Sequence, residues 1–255
     1  MDLRRLLELL AAGKLSVGEA ESRLSLTGID ALEDFARLDT GRHARKGVPE
    51  VVYAPGKTAE QLVKICAAMV RATGSAIASG LEEGQWQALE KEFPDRITTA
   101  DPRARIMVIR APGQERSSDA GTIGIISAGT ADIPVAEQAA IMAGEMGCTV
   151  LRAYDVGVAG VHRLADPLKQ MLSSDTRALV VVAGMEGALP SVVSGLVPVP
   201  VIGLPTSTGY GLGGEGITAL LAMLQSCSPG LSVVNIDNGI GAGATAALIA
   251  KAAGR

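Results

Sequence analysis

The chain has 255 residues, 47% of them hydrophobic but only 2% aromatic, so its interior is built from close-packed Ala, Val, Leu, Ile and Met rather than from rings. A net charge of -4 offers no basic face to a phosphate backbone, and no run of about 18 uninterrupted apolar residues occurs, so neither nucleic acid nor a membrane is an expected partner. The three cysteines, Cys66, Cys148 and Cys227, have neither disulfide nor metal spacing, which predicts a reducing, cytoplasmic setting.

From Met1 to about Leu26, apolar and charged residues alternate at helical spacing, and Gly13 with Ser16 divides them into two short helices, a helical arm. DTGRHARKGVPE follows, where Arg42, Arg45 and Lys46 surround His43. This basic patch is either a solvated face or, joined by Lys57, a grip on a bound phosphate. EVVYAPG reads as a strand, TAEQLVKICAAMVRATG as a helix capped by Thr58, SAIASG as a strand, LEEGQWQALEKEF as a helix and ARIMVIRA as a further strand. PGQERSSDAG is polar and turn-rich. The expected division is an N-terminal helical arm and small α/β domain over 1–110, a linker over 111–120 and a second domain over 121–255.

Beyond Gly121 the apolar runs TIGIISAG, CTVLRAYDVG, ALVVVAGM, VPVIGLPTS and LSVVNIDNG alternate with amphipathic segments, the first from Asp132 to Met146 and the last from Gly241 to Ala253. Near-continuous Val, Ile and Leu mark strands buried on both faces, so this half is expected to be a three-layer α/β domain around a parallel sheet. Ser127, Gly129, Asp155, Gly184, Glu186, Thr206, Ser207, Asp237 and Asn238 then fall at strand ends. In a parallel sheet those ends share one edge, where open α/β folds bind ligands.

Five features carry candidate chemistry. Ser127, Gly129, Thr130 and Asp132 lead into a helix with Pro134 near its start, either a phosphate-binding turn or a plain Asp132 N-cap. LPTSTGYGLGGEG, with Thr206, Ser207, Gly209 and Tyr210, is either a loop folding over a polar ligand or a loose connector. Glu186 and Asp237 are a pair able to hold Mg²⁺, or ordinary acids in first helical turns. His162 and Arg163, near a helix start, either meet an anion or cap the surface. Cys227, in LLAMLQSCSPG, is read at a helix C-terminus stopped by Pro229 and Gly230, whose partial negative charge disfavours a thiolate. A cationic substrate ring is what would activate it, the alternative being an inert cysteine. Cys66 lies on the apolar stripe with Leu62, Ile65 and Met69 and is expected in the core, and Cys148 opens a strand.

The second half, in SAGTAD, VHRL, VVAG followed by an LP dipeptide, and PVIGLP, resembles the aminoimidazole ribonucleotide carboxylase and mutase family. That resemblance implies a flavodoxin-like sheet and an octameric homo-oligomer. One departure bears on activity: the purine enzymes carry a histidine before the LP dipeptide, whereas Ala188 precedes Leu189 and Pro190. Over nearly the whole chain, LDTGRHARKGVPEVVYAPGKT, ISAGTADIPVAEQA, YDVGVAGVHRL, AGMEGALPSVVSGLV, GLPTSTGYG and QSCSPGLSVVNIDNGIGAG resemble the LarB family of nickel-pincer cofactor biosynthesis. This resemblance implies carboxylation of nicotinic acid adenine dinucleotide by CO₂ and cleavage of its phosphoanhydride to release AMP. It implies Cys227 as nucleophile, Glu186 and Asp237 as the acidic pair, Mg²⁺ as cofactor and no organic cofactor. The alternatives are a purine-pathway carboxylase or mutase, and a non-catalytic nucleotide sensor.

Overall fold

The computed structural model describes residues 3–24, 29–116 and 118–254. Contacts divide the chain into two compact units, Met1–Glu115 and Arg116–Arg255. In the first unit, α1 (Leu3–Ala11) and α2 (Val17–Leu24) form the expected arm, closed on a small cluster of Leu6, Leu15 and Ala20. Leu26, to which the arm was read, lies outside the described residues. A hairpin of β1 (Ile29–Leu32) and β2 (Ala36–Asp39) and a short α3 (Arg42–Lys46) follow.

The rest of this unit is β3 (Val51–Tyr53), α4 (Ala59–Thr73), β4 (Ser75–Ser79), α5 (Glu83–Glu92), β5 (Ile97–Asp101) and β6 (Ile106–Arg110). The four strands lie in the order β3-β4-β6-β5, with β3 and β4 parallel and the other pairs antiparallel. Helix α4 forms where it was expected because both ends are specified. Thr58 accepts from the Gln61 amide while Gln61 returns a bond to the Thr58 amide, and Gly74 closes the helix in the left-handed region. Its inward stripe, Leu62, Ile65, Cys66, Met69 and Val70, is buried against the sheet, so Cys66 is a core residue.

The second unit runs β7 (Thr122–Ser127), α6 (Ile133–Glu145), β8 (Thr149–Ala153), α7 (Ala165–Ser173), β9 (Thr176–Ala183), α8 (Leu189–Ser194), β10 (Val201–Pro205), α9 (Ile217–Leu224), β11 (Leu231–Val233) and α10 (Gly239–Ala253). All five strands are parallel, in the order β11-β10-β9-β7-β8. Numbered from the domain's own first strand this is 2-1-3-4-5, the flavodoxin-like arrangement, and the fold is α/β as expected. Leu179, Val181 and Ala183 of β9 pack with Leu168 and Met171 of α7, Leu189 and Val193 of α8, and Ala219 and Met223 of α9. The alternate residues Ala178, Val180 and Val182 are equally buried and, by the period of two, face the layer of α6 and α10. The chain leaves β7 toward β8 on one side and β9 toward β10 on the other. The switch point therefore lies between the carboxyl ends of β7 and β9. Among the described residues no helix is long and apolar enough to cross a membrane.

Candidate active site

At the carboxyl edge of the five-stranded sheet, Asp132 ties two loops together. Its side chain is buried, one oxygen accepting from the Thr206 hydroxyl at 2.6 Å and the other from the Gly129 amide at 2.9 Å. Burial pushes its carboxyl above the usual range. The Thr206 hydroxyl and the Gly129 and Gly184 amides pull the other way, and the negative charge of Asp237 adds to the rise. The reading of Asp132 as a plain N-cap does not hold. Asp132 precedes α6, but its side chain caps no amide of that helix, reaching back to Gly129 and across to Thr206.

Ser127 is likewise internal: its hydroxyl donates to the Gly129 carbonyl and accepts from the Asp155 amide. Of this turn, Thr130 and Ala131 are exposed. Asp237 is exposed, and its Oδ1 accepts from the Ser207 amide at 2.9 Å, which fixes the carboxylate beside the loop after β10. Glu186 is exposed in the turn after β9. Gly184 allows that turn to close, because a Cβ there would run into the Thr208 carbonyl and lie 2.7 Å from the Thr206 hydroxyl. Gly209 packs against Met185, whereas Tyr210 is 80% exposed. His162 and Arg163 lie on a 3₁₀ turn before α7, with Arg163 paired to Asp155 at 2.9 Å.

Sequence reading missed a backbone signature at this edge. Of the seven described non-glycine residues with positive φ, Asp155, Met185, Glu215 and Asp237 lie in the segments following four different strands of this sheet. Such conformations cost of order 1–3 kcal/mol each and cluster at functional sites. The Asp155–Arg163 pair was also missed, since its partners are joined only by the turn between them. Charge at the edge is one-sided: Asp132, Asp155, Glu186, Glu215 and Asp237 stand against Arg163 and His162.

The remaining candidates stand apart. Helix α9 ends at Leu224, earlier than Pro229 would dictate, so Cys227 sits beyond the helix in the approach to β11. Its thiol is exposed, while Cys66 and Cys148 are buried. Burial pushes the Cys66 thiol up to about 12 and raises that of Cys148, against the opposing charge of Lys251. Because α9 starts past the carboxyl end of β10 and runs back along the sheet, Cys227 lies toward the amino edge. There the Gly230 carbonyl accepts from the amide of Val201, the first residue of β10. Ser226 and Ser228, on either side of Cys227, bond to Ser191 of α8, the helix that follows the Glu186 turn. In the N-terminal unit the basic patch is already paired, Arg42 with Glu50 and Arg45 with Asp39, each at 2.6 Å. Lys57 donates to the Tyr53 carbonyl.

Comparison with known proteins agrees with this architecture. Residues 29–111 match the LarB/PurE-like N-terminal domain, and residues 122–254 match AIR carboxylase. An uncharacterized protein of Methanocaldococcus jannaschii is 44% identical over 98% of this chain and 97% of its own length. N5-carboxyaminoimidazole ribonucleotide mutases of Thermotoga maritima and Pyrococcus abyssi are 32% and 31% identical, each over 50% of this chain and over 73% and 70% of their own lengths.

Proposed function

The chain belongs to the AIR carboxylase family with the LarB architecture, a LarB/PurE-like domain preceding the carboxylase fold, and from that membership we propose that it carboxylates the pyridine ring of nicotinic acid adenine dinucleotide and hydrolyses the phosphoanhydride, releasing AMP. The observation that carries this reading is Cys227: of three cysteines it alone is exposed, on a chain with Ala188 where the purine enzymes place a histidine.

A pyridinium ring is too electron-poor to attack CO₂. Addition of the Cys227 thiolate to ring carbon 4 forms a C–S bond and moves an electron pair to the ring nitrogen. The resulting dihydropyridine is an enamine at carbon 5, which attacks CO₂ and forms the C–C bond. Loss of the carbon 5 proton and expulsion of the thiolate restore the aromatic cation and leave the cysteine as it began. One difficult step is thereby divided into easier ones without an organic cofactor. Glu186, exposed at the sheet edge, is the proposed acceptor of the ring proton.

The edge is acidic, so a pyrophosphate approaching it is repelled unless a cation intervenes. Among the described residues no three His, Cys, Asp or Glu side chains gather into a metal cage. Mg²⁺ needs only one or two carboxylates when the substrate's phosphates and water complete its shell. Asp237, exposed and oriented by the Ser207 amide, fits that donor set, with Glu186 as second candidate. Bound there, Mg²⁺ supplies charge neutralisation for anhydride hydrolysis. Ser207, Thr130, Tyr210 and His162 are the exposed polar groups proposed to contact substrate, with Arg163 opposite a phosphate. A homo-oligomer is part of this reading.

Purified protein incubated with the dinucleotide, bicarbonate and Mg²⁺ yields AMP and a mononucleotide heavier by one carboxyl group, read by mass spectrometry. No such product, or full activity in Cys227→Ala, overturns the proposal. The likeness of the C-terminal half to the mutases supports a second reading, a purine-pathway carboxylase or mutase. Rescue of a purine auxotroph tests it, and Ala188 weighs against it.

A further inference from the structure

Residues 225–230 join α9 to β11 and carry Cys227 exposed between half-buried Ser226 and Ser228. Both serines bond to one residue of α8. The Ser191 hydroxyl donates to that of Ser226 at 2.9 Å, and the Ser228 hydroxyl donates to the Ser191 carbonyl at 2.8 Å. Ser226 Oγ also accepts from the Ser228 amide at 3.2 Å, which closes a small ring of bonds around the backbone of the cysteine. Buried Ser194, at the end of α8, donates to the Pro229 carbonyl at 3.0 Å. A surface connector can leave its polar groups to water. Here the serines of α8 and of the connector bond to each other, and the one residue left outward between them is the thiol. The start of α8 is tied to the same segment. Glu186 stands just before Leu189, and the turn between them rests on α9: a Cβ on Gly187, whose φ is +64°, would lie 2.6 Å from the Ala219 carbonyl. The Glu186 turn is thus seated on the helix that leads to Cys227, and the helix that this turn opens is bonded to the segment that bears Cys227.

We propose that Ser191 and Ser226 are positioning residues that aim Cys227 at the substrate ring, with α8 as the common mount of the sulfur and of the Glu186 turn. Their role rests on the carboxylase reading above and adds to it the groups that hold the nucleophile. The sulfur has to strike one ring carbon and later leave it, and a misplacement of about 1 Å costs about 10²-fold in rate. A cysteine in an untethered connector swings with it. One whose two neighbours are both bonded to Ser191 moves only with the helix. The serines therefore act through the backbone of Cys227 and not on the ring.

Carboxylation kinetics of Ser191→Ala and Ser226→Ala in the full-length chain test this. Each lowers kcat about 10- to 100-fold and leaves the KM for nicotinic acid adenine dinucleotide unchanged. The double variant loses no more than Ser226→Ala alone, because the two hydroxyls share one bond. Alkylation of Cys227 by iodoacetamide, for which any approach suffices, proceeds at the wild-type rate in all three, and buried Cys66 and Cys148 do not compete. Wild-type kcat in both single variants overturns the proposal. Alkylation that falls in step with turnover overturns it too, since the serines then activate the thiol instead of aiming it. So do losses that multiply in the double variant, since the two residues then act apart. If Ser191→Ala does not fold by circular dichroism, Ser226→Ala, in a segment outside helix and strand, decides. A wild type that carboxylates nothing overturns the carboxylase reading instead, and the role of the serines falls with it.

Discussion

The two units treat their strand-end loops in opposite ways. In the N-terminal unit the loops after β3 and β4 are sealed by their own side chains. Thr58 and Gln61 close one helix start, Glu82 and Gln85 the other, and the Gln85 amide also binds the carbonyls of Ala54 and Lys57. Arg105 binds the carbonyls of Gly80 and Leu81. In the C-terminal unit the equivalent edge keeps strained backbone and exposed carboxylates, with Asp132 alone buried beneath as a brace. A loop that satisfies its own polar groups has nothing left for a ligand. A loop held from below by a buried carboxylate presents its outer groups to solvent at fixed positions.

The comparison breaks most sharply at the proposed chemistry. Cys227→Ala is expected to lower carboxylation at least about 10³-fold, measured by product mass, since loss of a nucleophile removes the covalent route. Next is the brace. Asp132→Ala leaves the Thr206 hydroxyl and the Gly129 amide without their acceptor and is expected to cost about 3 kcal/mol in urea unfolding, with looser loops after β7 and β10. Its charge has a pH signature of definite sign. A carboxyl raised in the fold binds more protons there than in the unfolded chain, so its contribution is full below the ordinary value of 3.8 and is lost as pH rises through the elevated one. Relative to Asp132→Asn, wild type therefore loses stability over that window, measured as the difference in urea midpoints. Gly184→Ala drives a methyl group into the Thr208 carbonyl and is expected to cost about 1–3 kcal/mol while raising KM more than it lowers kcat. The smallest effect belongs to the sealed unit: Thr58→Ala removes a capping box, for about 1 kcal/mol, and leaves turnover unchanged.

The C-terminal strands were legible because burial on both faces leaves runs such as ALVVVAG with no polar interruption. Helix α4 was legible because its cap, stripe and terminal glycine agree. Hairpin β1–β2 and strand β5 were not expected. IDAL, ARLD and ITTAD are short and half polar, and no Asn-Gly or Asp-Gly turn marks the hairpin, so pairing rather than pattern makes them strands. The sequence named strand-end residues that the parallel sheet does gather on one edge but could not rank them. Asp132 finds its partner Thr206 74 positions away, a relation no local motif encodes. The end of α9 was misplaced because Pro229 marks where a helix cannot continue, not where it stops. The pairing of Arg42 with Glu50 and Arg45 with Asp39 was not read from the sequence, because the turns around α3 bring these partners together.

Trp86, the single tryptophan, sits on α5 with its indole nitrogen bonded to Glu90. The chain thus carries a built-in optical label on one unit only: its emission follows melting around α5 and is silent on the flavodoxin-like half. Circular dichroism sums both halves, so overlaying the two signals during denaturation reveals whether the halves come apart together or in succession.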